Sequence, residues 1–64
     1  MSLFDYRKSI ELSKLDFSFY TLIMSAMRKA DSDNIEKLKL VFPEVHKEFS
    51  ERYNAPGGFL KDEK

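Results

Sequence analysis

With 64 residues the chain has room for one domain and not for two independent cores. Its hydrophobic content of 42%, with six Phe and three Tyr, is that of a chain that folds and not of a disordered tail. Eleven basic and eleven acidic residues cancel and are interspersed, so no long-range field draws in nucleic acid or an anionic membrane, and the absence of Cys excludes disulfides and thiolate metal cages.

A core this small is marginal by itself, because the buried fraction of surface falls with chain length. With disulfides excluded, self-association is the expected extra source of stability. Residues 1–5 carry neither the basic nor the long apolar region of a secretory signal, so a cytoplasmic location is expected. The final Lys61-Asp62-Glu63-Lys64 has the look of a retention tag but closes on Lys where such a tag needs Leu.

The first predicted helix covers residues 2–13. Ser2 and Asp5 have the spacing of a capping-box variant, and Leu3, Tyr6 and Ile10 recur at gaps of three and four, with Phe4 and Leu12 off that stripe. A break follows at residues 13–16, where Ser13 or Asp16 can cap a new helix. The second helix, about 17–30, is the most apolar. Tyr20, Ile23, Met24 and Met27 form its stripe, and Phe19, Leu22 and Ala26 widen the apolar arc beyond what one neighbouring helix covers. A strand over 17–24 is the competing reading, but strict alternation fails at Phe19-Tyr20 and Leu22-Ile23-Met24. The same stretch is too short and too polar to span a bilayer.

Asp31-Ser32-Asp33-Asn34 marks the clearest boundary, with Glu36 in capping-box register to Asp33. After it Ile35, Leu38, Phe42, Val45, Phe49 and Tyr53 form one stripe at gaps of three and four. Pro43 interrupts the stripe, either as a kink or, in the preferred reading, as the first residue of a separate helix, where its missing N–H costs nothing. Glu48 with Arg52, Lys47 with Glu51 and Glu44 with Lys47 have the spacing of a salt-bridged outer face. Asn54 suits a left-handed helix end, and Pro56-Gly57-Gly58 forbids continuation. Residues 1–54 are therefore read as one helical domain and 55–64 as a flexible tail. Phe59 and Leu60 in that tail either fold back or anchor in a partner, and both alternatives stay open.

The residue types that carry chemistry are few. His46 is the only histidine, and its helical neighbours Phe42, Pro43, Phe49 and Ser50 are poor metal partners. Asp31 and Asp33 lack the turn glycine and bidentate Glu of a calcium loop, so capping is the simpler role. No enzyme activity, cofactor or metal is expected. The interaction surface is assigned to Phe17, Phe19, Leu22, Met24 and Met27, with Phe59 and Leu60 as the tail anchor; Met side chains either fill a core or repack around partners. The alternative is a small DNA-binding accessory protein using the helix after Asp33, with Arg28, Lys29, Lys37 and Lys39 on phosphates.

The run from Met24 to Asn34, Phe42-Pro43-Glu44-Val45, and Arg52-Tyr53-Asn54-Ala55-Pro56-Gly57-Gly58 resembles small helical proteins of Gram-positive bacteriophages and integrated mobile elements. Residues 1–16 lie outside that resemblance. It implies a phage-derived accessory protein acting by binding host or phage machinery, and it brings no catalytic residue or ligand. The expected architecture is all-α, a three- or four-helix bundle that dimerises. Its second helix packs on the 35–53 stripe, and its first helix completes or exchanges across the dimer.

Overall fold

A computed structural model describes residues 2–63, and all regular structure within them is helical. Four α-helices follow one another, α1 (Leu3–Ser13), α2 (Phe19–Lys29), α3 (Ser32–Val41) and α4 (Pro43–Tyr53), and a 3-10 turn at Pro56–Gly58 closes the chain.

The starts of α1, α2 and α3 are each set by a side-chain cap. The Ser2 hydroxyl accepts from Asp5 N at 3.1 Å and opens α1 as expected. Neither Ser13 nor Asp16 caps α2. Ser18 does, with extended backbone (φ −70°, ψ 159°) and a hydroxyl that takes Thr21 N at 3.1 Å and lies 2.9 Å from Thr21 Oγ1. At α3 the cap is Asp31, not Asp33, because Asp31 Oδ1 accepts Asn34 N at 2.8 Å. Asp33 falls in the first turn, where its charge meets the positive helix end. Replacing Asp31 by Ala is expected to cost about 1 kcal/mol, read as a lower urea midpoint with an unchanged slope.

Pro43 separates two helices and stands at the first position of α4. The backbone turns at Phe42 (φ −126°, ψ 63°), which ends α3 through its N–H to Leu38 O at 2.7 Å and begins α4 through its carbonyl to His46 N at 2.9 Å. Asn54 is right-handed (φ −90°, ψ −3°) rather than left-handed, and its side-chain amide donates to Ser50 O at 2.9 Å. The left-handed conformation passes to Gly57 (φ 63°) and Gly58 (φ 74°), where a Cβ would be strained.

Helices α2, α3 and α4 pack on one another, with the 3-10 turn against α4. Met27 is the centre of this body, 3% exposed and the one buried side chain among the described residues. Ile23, Met24, Ile35, Leu38, Phe42, Val45 and Phe49 surround it half-buried, so the expected packing of α2 on the 35–53 stripe is present. Two members of the predicted stripes depart from it. Tyr20 and Tyr53, at the outer ends of α2 and α4, remain exposed.

Helix α1 stands apart and has no backbone neighbour among the other elements. The molecule is accordingly extended, 41 × 28 × 17 Å. Its radius of gyration is 13.5 Å, against about 11 Å for a compact chain of this length.

Candidate functional site

The surface that needs an explanation is apolar and lies on α1 and the outer side of α2. A compact monomer of this mass exposes about 4,300 Å², whereas this chain exposes 5836 Å², an excess of about 1,500 Å². The apolar side chains of α1 contribute to it. Leu3 and Tyr6 are 63% and 64% exposed and Ile10 is 41% exposed, all on one helical stripe. The other flank of α1 is dressed differently. Lys8 Nζ lies 5.6 Å from the Phe4 ring centre and 3.1 Å from Glu11 Oε2, so a charged pair borders Phe4, which is itself 66% exposed, while Tyr6 and Ile10 have no such neighbour among the described contacts.

Between the C-terminal end of α1 and the outer face of α2 runs a groove of about 580 Å³. Leu12, Phe17, Leu22 and Ala26 supply its apolar walls, Ser9, Ser13, Thr21 and Ser25 are small, and Lys29 is the one charged residue on its rim. The small residues follow from helical spacing. Thr21, Ser25 and Lys29 lie four apart on the face of α2 turned away from Met27, which lets another helix approach closely.

The predicted interaction residues divide among three environments. Phe17 and Leu22 line the groove. Phe19 instead points to the junction of α3 and α4, its ring edge-on to Phe42 at 5.9 Å and to Tyr20 at 5.4 Å. Met24 is half-buried, and Met27 belongs to the core and presents almost no surface, because its position on α2 faces α3 and α4. Thr21 and Ser25 fall outside the apolar stripes visible in the sequence, and their four-residue spacing on α2 is the signal that points to them; the α1 stripe and Ala26 are visible there as apolar pattern and not as interaction residues.

The segment read as a tail folds back. Arg52 holds it with Nη1 donating to Gly58 O at 2.9 Å and to Glu63 Oε1 at 2.6 Å, and Nη2 donating to Glu63 Oε2 at 2.6 Å. Arg52 Nε also donates to Glu48 Oε2 at 3.0 Å, the predicted Glu48–Arg52 pair, while the Lys47–Glu51 and Glu44–Lys47 spacings form no ion pair among the described residues. Leu60 is half-buried by this fold-back and Phe59 stays exposed.

The Arg52 hydrogen bonds, and then the Leu60 N–H, lower the Glu63 carboxyl from 4.5 to about 2; the hydrogen bonds to Glu63 and then Glu48 raise Arg52. A depressed carboxyl contributes its attachment in full above its free value near 4.5 and loses it as pH falls through about 2. The clasp is solvent-exposed and screened, so its expected signature is local. The Glu63 side-chain carbon signal in NMR should titrate near 2, the Leu60 amide should move with it, and Arg52→Ala should return Glu63 to the ordinary carboxylate range.

The basic residues of the DNA alternative do not converge. Arg28 lies over the rings of Phe49 at 5.6 Å and Tyr53 at 5.3 Å, as an internal tie between α2 and α4. Lys29 and Lys37 share a shallow depression with Asn34, whereas Lys39, two residues on from Lys37, falls on the opposite side of α3. His46 lines a hollow with Met27, Arg28, Phe49 and Tyr53 that offers it no second metal-ligating side chain, and no group of three such residues occurs among the described residues. No described helix is long and apolar enough to cross a membrane.

The fold therefore defines a small all-helical chain, a three-helix body carrying a helical arm. No family model, curated protein or solved structure matches it significantly.

Proposed function

We propose that the chain is a non-enzymatic protein-interaction module whose working surface is the α1 stripe together with the α1–α2 groove. The observation that carries this reading is the pairing of excess surface with an unsupported helix. An isolated helix shorter than about 12–15 residues is marginal in water, and α1 has 11 residues and no helix behind it. Its helical form gains support when its apolar side is covered, and the uncovered side is larger than the single hydrophobic residues that ordinary surfaces carry. The phage resemblance falls on residues 24–58 and leaves α1 out, so this surface is proposed independently of it.

The test is capture from the cells that make the protein. A tagged chain should retain a protein, either an untagged copy or a different one, and the double variant Ile10→Glu, Leu12→Glu should lose it. Equal retention by both forms contradicts the reading.

A further inference from the structure

Resting on that reading, we propose that the occupant of the α1–α2 groove is a second copy of this chain, each copy laying its α1 stripe into the groove of the other. Exposed area favours a second copy. The chain exposes about 1,500 Å² more than a compact monomer of its mass, and a stable complex buries about 800 Å² per partner, so covering about half of that excess is enough for a dimer.

The patch is also self-complementary. A two-fold dimer needs one patch that contains both the ridge and the hollow, so that each contact is made twice. The α1–α2 pair has both. Leu3, Tyr6 and Ile10 form the ridge, and Leu12, Phe17, Leu22 and Ala26 form the hollow over a floor of Ser25 and Thr21.

Charge permits the approach. Asp5 and Glu11 balance Arg7 and Lys8 on α1, so two such helices meet without net repulsion, and Lys29 on the groove rim is opposite in sign to the acidic side chains of an incoming α1. A second copy also resolves the marginal length of α1, since each chain supplies the cover that the other's arm lacks.

Sedimentation equilibrium of the full chain across the micromolar range decides the point. The mass of two chains is expected. Ile10→Glu on the ridge and Ala26→Glu on the groove wall should each weaken the dimer by about a hundredfold or more, because a carboxylate would be buried without a partner. Leu40→Glu, on an α3 side chain 82% exposed, should leave the dimer intact and controls for added charge. Retained far-UV helicity from α2 to α4 in the monomeric variants separates lost docking from lost folding. Because the chain has no Cys, mixing Tyr6→Cys and Ser25→Cys chains gives a placement test, with the mixed disulfide expected to form faster than either like pair. A single-chain mass throughout, a dimer indifferent to Ile10→Glu and Ala26→Glu, or like pairs alone would each overturn the proposal. A single-chain mass with Ile10- and Leu12-dependent capture of another protein removes only the second copy as occupant and leaves the interaction module standing.

Discussion

Met27→Ala should leave the protein largely unfolded at physiological temperature. The thioether is the one side chain the α2–α4 body removes almost wholly from water, and truncating a buried Met costs about 2–5 kcal/mol in lost transfer energy and residual cavity. A chain of this length has about 3–10 kcal/mol of total stability. One buried side chain places this protein toward the low end of that range. For a domain this small each kcal/mol moves the thermal midpoint by about 4–8 °C, so a fall of at least about 8 °C is expected in a circular dichroism melt at fixed protein concentration. Met27→Leu, which nearly conserves volume, should cost less than about 1.5 kcal/mol. An Ala variant that melts with the parent would place the core elsewhere.

Phe49→Ala should have the next largest effect, about 2–3 kcal/mol. The value lies below the 3–5 kcal/mol of a fully buried Phe because this ring is half-buried. Its loss removes the α4 wall beside Met27, the ring neighbouring Tyr53 at 5.8 Å, and one of the two rings under Arg28. The Arg28 contribution can be isolated in a double-mutant cycle with Arg28→Ala, where a coupling of about 0.5–1 kcal/mol is expected for a partly exposed cation over a ring. Leu40→Ala serves as the contrast. It lies on α3 beyond the packed stripe and should change stability by no more than about 0.5 kcal/mol.

These two residues also show how far the fold is legible in the sequence. Phe49 belongs to the stripe from Ile35 to Tyr53, and Met27 to the stripe of α2, both visible as gaps of three and four. Pro43 at a helix start and the capping residues before α3 likewise announce themselves locally, because each acts through a backbone group within four positions. Choosing among neighbouring caps is harder. Ser13, Asp16 and Ser18 are all competent, and the selection of Ser18 depends on its hydroxyl reaching Thr21 N while its backbone stays extended.

The candidate site is less legible than the core. Periodicity gives α1 an apolar stripe but does not say in which direction residues 14–18 send it, so the stripe reads equally as core or as surface. The same ambiguity put Met27 in the interaction set although its side chain points into the body. The fold-back of the C-terminal segment joins Arg52 to Glu63 across eleven positions, a contact that exists only because Gly57 and Gly58 take left-handed conformations and reverse the chain. No local pattern encodes that pairing.

In the proposed function, α1 stays helical by being covered from outside its own chain. Amide hydrogen exchange measured over residues 3–13 at a series of protein concentrations tests it most directly. Protection there should rise with concentration while protection around Met27 persists at dilution. Residues 3–13 equally protected at every concentration, or unprotected even at the highest, would contradict the account.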